Sequence, residues 1–512
     1  MKKYISIFML IFSFTIAFAQ EVNDGIRLAQ TNLNGTARFQ AMSGAFGSLG
    51  GDFSAINVNP AGSAIFNNNQ WSVSLSDNII KNSTNYFGTK TNSDKNSVVL
   101  NQAAVVFVFD NYSKSSDWNK FTLGVNYENT GNFQNDVFSA GTNQNSIANY
   151  FLSYANANGN IPGIKLGALQ NYYFDELNFQ DQQAKLGFEA YVFNAIPLAS
   201  DPTNYNNSNI QSYSSNVRQG GNYHQENSYA TTGYNGKVNF NVGAQYDKWL
   251  SLGLNLNSHF TDYKQSTSFF ETNSNTLDNT IRVKDIRFNN DIHTFGSGFS
   301  LQLGAIAKVN SRLRLGLSYE SPTWYSLNDE LTQSLTAVSA STAGVLPRDV
   351  VDPKIINTYE PYTIRTPSKW TASGSVIFAK KGLLSLDVAT KDYTGISFGP
   401  KSKYFDNRNN QINNLLDRTF EYRLGGEYRI KNFSLRGGYR FEQSPYKNKK
   451  TIGDLYGIST GLGYSWGYTK LDVSYAYAKR NLQNQFFSQG LTDFSSTTAI
   501  NNNVTVTLVF EL

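Results

Sequence analysis

The sequence predicts an all-β protein, a 14-stranded antiparallel transmembrane β-barrel. Three observations point there. From about residue 70 the chain falls into segments of roughly ten residues in which apolar and polar side chains alternate. The connections between these segments alternate between short and long, as turns on one side of a membrane and loops on the other would. The chain also opens with an export signal, and no later run of 18 or more apolar residues offers a transmembrane helix.

Lys2 and Lys3 form a positive start, the apolar stretch YISIFMLIFSFTIAFA follows, and Ala17-Phe18-Ala19 has the small-residue pattern of a cleavage site. Residues 1–19 are therefore expected to be a signal peptide, with Gln20 leading the mature chain. No Cys stands at the junction or anywhere else, so an exported chain of 512 residues must be held by hydrogen bonds and packing. Tyr (31), Phe (36) and Gly (40) are abundant while charged residues make up only 16%. The mean hydropathy of −0.40 suits a soluble protein equally, because lipid-facing and lumen-facing residues average out in a barrel. Periodicity must decide between the two. The formal charge of +5, less Lys2 and Lys3, is too small to argue for nucleic acid, and no basic run supports it.

The strands show their faces directly. In KFTLGVNYEN, Phe121, Leu123, Val125 and Tyr127 oppose Thr122, Gly124, Asn126 and Glu128. In WLSLGLNLNS, Leu250, Leu252, Leu254 and Leu256 oppose Ser251, Gly253, Asn255 and Asn257. The fourteen expected spans are 70–79, 98–110, 120–132, 236–246, 249–260, 295–308, 312–322, 368–379, 383–393, 419–430, 433–443, 455–465, 469–479 and 501–512. Short turns are expected at 247–248, 310–312, 379–382, 430–432 and 466–468, and long polar loops around 80–97, 264–292, 323–366, 394–417, 444–453 and 480–499. The final strand, with Val504, Val506, Leu508, Phe510 and Leu512 on one face, must pair with the first to remove both open edges. It resembles an outer-membrane assembly signal, with Leu512 where Phe is usual. The connection at 133–235 is long enough to have structure of its own, and SIANYFLSYANA and DQQAKLGFEAYVFNAI within it read as helices.

Residues 35–66, GTARFQAMSGAFGSLGGDFSAINVNPAGSAIF, resemble the N-terminal hatch of the FadL family of outer-membrane transporters for long-chain fatty acids and other hydrophobic molecules. Gly35, Arg38, Gly44, Asn59, Pro60, Ala61 and Gly62 carry the hatch motif, together with Met42, Ala45, Asp52 and Asn57. The Asn- and Tyr-rich composition resembles Bacteroidota members of that family. The resemblance implies that residues 20–69 fold back as a plug inside a barrel of residues 70–512, located in the outer membrane, with 133–235 as an extracellular loop. It implies passive uptake: a fatty acid or other hydrophobic small molecule is caught by the loops, passes into the lumen and leaves after a local shift of the hatch, even sideways through the wall. Small residues suit the close approach of plug and wall, and Pro60 holds its neighbour Asn59 extended. The alternative, drawn from FadL-like barrels associated with type IX secretion, is a protein-partner subunit that docks another outer-membrane or surface protein through 133–235.

Two sets of residues are candidates for handling ligand. Arg423, Arg436 and Arg440 alternate with an apolar face, and an Arg turned to lipid at mid-membrane would cost about 2–4 kcal/mol, so they should face the lumen. There they either receive a ligand carboxylate or pair with Glu421, Glu427, Glu442, Asp387 and Asp472 to anchor the hatch, with Arg38 joining. Phe151, Tyr154, Tyr191 and Phe193 in the long loop would line a capture groove or form that loop's own core. An enzyme is not expected: His224, His259 and His293 have no metal-ligand spacing and no G-x-S-x-G occurs, so neither a metal nor a cofactor is called for.

Overall fold

The computed structural model describes residues 21–113, 115–159, 161–378 and 381–512, so the expected signal peptide lies outside it. Alternation is resolved as predicted. Fourteen strands form one cylinder: β1 (Gln70–Tyr86), β2 (Thr89–Asp110), β3 (Trp118–Asn132), β4 (Tyr223–Tyr246), β5 (Leu250–Asn273), β6 (Arg282–Lys308), β7 (Leu313–Glu320), β8 (Lys369–Phe378), β9 (Gly382–Asp392), β10 (Arg418–Ile430), β11 (Phe433–Glu442), β12 (Ile452–Ser465), β13 (Thr469–Gln485) and β14 (Phe494–Glu511). All neighbours are antiparallel, and β1 pairs with β14 from Gln70↔Glu511 to Asn85↔Ser496, which closes the seam. Leu252, Leu254, Leu256, Leu303, Leu315 and Leu317 stand exposed on the outer face, as a lipid-facing band requires. Trp71, Trp118, Trp249 and Trp466 lie by the short turns at one end, and Trp324 and Trp370 toward the other, the positions of two aromatic girdles.

The long polar loops are a correction. β1 and β2 run through 80–97 as a continuous hairpin, turned by Phe87-Gly88 with φ of 46° and 85°. β5 and β6 likewise continue through most of 264–292, and Trp324–Ser341 pairs with β6 over much of 323–366. The reason is physical. Above the bilayer no face meets lipid, so the apolar half of the alternation vanishes while the hydrogen-bond ladder continues.

The long connection is shorter than 133–235. Asn135–Asn143 continues the line of β3 and pairs with β4, leaving a cap at 144–222. The cap holds helices Ala148–Ala155, Leu166–Asn171 and Phe179–Glu189, the first and third of them where the apolar spacing placed helices. Its interior packs on Phe288 and Leu335 of the extended wall and on Phe487 of the β13–β14 connection.

Candidate functional site

Residues 21–66 lie inside the cylinder. Thr36 caps the short helix Ala37–Ala41, its hydroxyl accepting from Phe39 N–H (3.2 Å) and donating to Asp52 (2.8 Å). Ser54 Oγ accepts from Thr36 N–H at 2.8 Å, and a Cβ on Gly35 would meet that Oγ at 2.1 Å. Gly35 (φ 110°) and Gly44 (φ 77°) both occupy backbone space that favours glycine. Asn59 Oδ1 accepts from Ala61 N–H at 3.1 Å to start the 3-10 turn Pro60–Ile65, while its Nδ2 donates to Gly47 O (2.7 Å) and to the wall at Ala305 O (3.0 Å). Ala61 and Gly62 are buried, and a Cβ on Gly62 would come within 3.2 Å of Gly50 Cα.

The wall is shaped to meet this segment. A Cβ on Gly253 would lie 2.2 Å from the Pro60 carbonyl carbon, on Gly316 2.2 Å from Gly47 O, and on Gly425 2.5 Å from Met42 O. These glycines sit mid-strand, where they weaken a strand unless another backbone approaches. The sequence reading noticed small residues in the plug and missed their partners in the wall. The repeated Leu-Gly of SLGLN, RLGLS and RLGGE was the available signal.

The arginines face inward into an ion network. Glu427 holds Arg38 Nε (2.8 Å) and Arg436 Nε (2.8 Å) on one oxygen and Arg429 (2.9 Å) on the other, and Arg436 also reaches Asp472 at 2.5 Å. Arg423 pairs with Glu421 (3.1 Å), which also takes Lys369 (2.8 Å), and Arg440 pairs with Glu442 (3.2 Å). Arg38 therefore ties the plug to β10, where Glu427 is held in turn by Arg436 of β11. Replacing Glu427 by Leu takes away Arg38's carboxylate partner and leaves its guanidinium bonded to the Gly51 carbonyl, an orphaned charge worth about 3–5 kcal/mol. The expected result is faster amide hydrogen exchange across 35–66 with exchange in the wall strands unchanged.

One stretch of wall lacks its ladder. β2 and β3 pair only from Gln102↔Glu128 to Asp110↔Lys120, and among the described residues β2 above Gln102 has strand partners in β1 alone. The edge of β3 that is left over is met by the plug: Asn32 N–H donates to Thr130 O (2.9 Å) and Asn34 Nδ2 to Asn129 O (2.8 Å). Above it side-chain bonds bridge β2 to β3 and its continuation, among them Asn132 Nδ2 to Ser97 Oγ (2.9 Å) and Ser93 Oγ to the Asp136 carbonyl (2.8 Å). Directly inside lies a chamber of about 270 Å³, bounded by Asn32, Asn132, Phe133 and Asn135 at the gap and by the neighbouring Asn78 and Tyr263. A second cavity, about 70 Å³, lies across the Thr31–Asn34 strap among Glu128, Lys237 and Arg423. Sequence reasoning singled out none of the gap or strap residues.

The aromatic candidates separate. Phe151 and Phe193 are fully buried in the cap's interior, Tyr154 packs partly buried against it, and Tyr191 is exposed.

The sequence pattern of the outer membrane protein transport protein family (OMPP1/FadL/TodX) matches residues 200–507. Among solved structures, a FadL homologue of Pseudomonas aeruginosa is similar over 94% of this chain and 99% of its own, at 11% identity and a TM-score of 0.53. The toluene transporter TodX of Pseudomonas putida covers 94% of this chain and 100% of its own, at 12% identity and a TM-score of 0.49. No curated protein matches in sequence.

Proposed function

The chain belongs to the outer membrane protein transport protein family of FadL and TodX, and on that premise we propose passive uptake of long-chain fatty acids or other hydrophobic molecules, with exit sideways through the wall. The cap catches the ligand, the chamber behind the gap receives it, and the Thr31–Asn34 strap yields to let it leave through the foot of the gap, beside the exposed Val98 and Leu100, into the bilayer. The observation that carries this reading is the missing ladder between β2 and β3 with a cavity directly behind it.

Magnitudes favour the lateral route. Freeing the strap breaks a few hydrogen bonds worth about 0.5–1.5 kcal/mol each. Passage straight down the bore would orphan buried charges at about 3–5 kcal/mol for each broken pair, and would also undo the glycine contacts. Arg436 then acts by holding the plug through the Glu427 it shares with Arg38, and Arg423 and Arg440 by pairing with Glu421 and Glu442 of the wall, rather than by receiving ligand. The exposed Tyr172, Tyr173 and Tyr191 of the cap suit capture of a ligand or docking of a protein.

Vesicles carrying the purified protein should take up oleate or toluene faster than empty vesicles while retaining trapped glucose. Equal acceleration of glucose would make the protein a general porin. A stoichiometric protein recovered from native membranes, with no bound lipid, would move the reading to docking.

A further inference from the structure

The short-turn rim of the cylinder, on the periplasmic side, is basic along one arc. The consecutive turns β6–β7, β8–β9 and β10–β11 present the exposed cations Arg312, Lys381 and Lys431. No Asp or Glu stands in the stretches KVNSRLR, FAKKGLL and YRIKNFS that contain them. Among the described residues none of the three has an ion pair, whereas Lys470, further round the rim, is paired with Glu511. Arg314, just inside the mouth, donates to Leu49 O (3.1 Å) and adds charge of the same sign. The exposed acids of this end lie elsewhere. Asp247 stands beside Lys248, and Asp110 and Asp117 stand at the β2–β3 end, below the gap.

The backbone fixes the spacing of this row. Ile377 N–H donates to Arg312 O (2.8 Å), Arg429 N–H to Lys381 O (2.7 Å) and Ser465 N–H to Asn432 O (3.0 Å), so each turn is stitched to the next strand pair. Neighbouring turns are two strands apart, about 10 Å, close enough for one anion to meet two cations. The depth of the row is fixed as well. Val309, Phe378, Ile430 and Phe433 are exposed beside the turns on the lipid face. Turns this short cannot lift a cation clear of the head-group layer. Lys and Arg at that depth lay their stems on apolar surface and place the charge among phosphates. An acidic protein in the periplasm would have to enter that layer to reach the row, so its position favours lipid.

We propose that the β6–β11 arc of the periplasmic rim is a binding site for anionic phospholipid. The phosphate sits between neighbouring turn cations, Arg312 and Lys381 or Lys381 and Lys431, and the chains lie along the Phe378 and Phe433 face. Anionic lipid is thereby held on the far side of the cylinder from the β2–β3 gap, where Asp110 and Asp117 repel the same head groups. The inference does not depend on the route of uptake.

The test uses the full chain in detergent micelles with equal amounts of dioleoyl phosphatidylglycerol and dioleoyl phosphatidylcholine, the bound lipids being counted by native mass spectrometry. Each Lys or Arg beside an anionic head group is worth roughly fivefold in binding, so a phosphate between two should favour phosphatidylglycerol ~25-fold at low salt. Lys381→Gln, which removes the cation common to both placements, should lower that preference about fivefold. Arg312→Gln, Lys381→Gln and Lys431→Asn together should abolish it; Asn suits the φ of 54° at 431. The same loss of charge at the opposite end, by Lys354→Asn, Lys449→Asn and Lys450→Gln, should leave it intact. A preference that survives the rim substitutions would overturn the proposal. Equal loss in the two triple variants would overturn it too, by assigning the effect to net charge. Replacing chloride by inorganic phosphate at equal ionic strength should leave the lipid bound; its displacement would overturn the proposal by assigning the row to a free anion.

Discussion

Removing residues 21–66 should leave a barrel that still assembles but no longer seals. The ladder of the cylinder is complete without the plug, since β1 and β14 close on each other along sixteen residue pairs. The luminal face is built from polar residues such as Ser72, Ser74, Asn241, Asn255 and Gln302, which water can solvate once the plug is gone. Heat-modifiable migration on a gel should therefore persist, while single-channel conductance should rise from a closed baseline toward that of an open porin of similar girth. Unchanged conductance would mean that the segment does not seal the bore. A subtler variant makes the same point. Gly253→Val forces a side chain onto the Pro60 carbonyl carbon at 2.2 Å and Ala61 N at 2.3 Å, backbone atoms that no rotamer change can move away. It should displace the Asn59-Pro60-Ala61 turn and leak. Gly374→Val, where the nearest atom is 3.8 Å away, should not.

The barrel was legible because a bilayer imposes a strong period-two signal wherever a strand crosses it. KFTLGVNYEN and WLSLGLNLNS show both faces without ambiguity, and the terminal strand's apolar row foretold the β1–β14 seam. The same physics set the limit of the reading. Where β1 and β2 rise above the lipid, polar residues occupy both faces and the segment 80–97 looks like loop. Helices were expected in SIANYFLSYANA and DQQAKLGFEAYVFNAI; Ala148–Ala155 forms in the first, with Tyr150, Phe151 and Ala155 buried, and Phe179–Glu189 overlaps the second, whose end at Phe193–Ala195 is a strand.

The site was harder to read for a different reason. Glu427, Arg436 and Asp472 announced themselves as strand charges that could not face lipid, and the hatch resemblance added Arg38, so an ion network could be foreseen. The gap between β2 and β3 is an absence of pairing, and single strands carry no mark of a missing neighbour. Asn32 and Asn34 take the place of that neighbour through one backbone and one side-chain donor, and such contacts between residues nearly a hundred positions apart have no local pattern. The wall glycines stood in plain view but become meaningful only once a second backbone is placed against them.

Locking the wall shut is the most direct test of how ligand leaves. The chain contains no cysteine, so a pair introduced at Ser97 and Asn132, whose side chains meet at 2.9 Å across the gap, can form only one bridge. With Ser97→Cys and Asn132→Cys oxidised, uptake of oleate into vesicles should fall to the level of empty vesicles and return on reduction, while glucose stays trapped throughout. A bridge lower in the same pair of strands, Val105→Cys with Val125→Cys, joins residues already held by the ladder and should change nothing. Uptake that continues at full rate with the upper bridge demonstrably formed would contradict exit through the wall and return the passage to the bore.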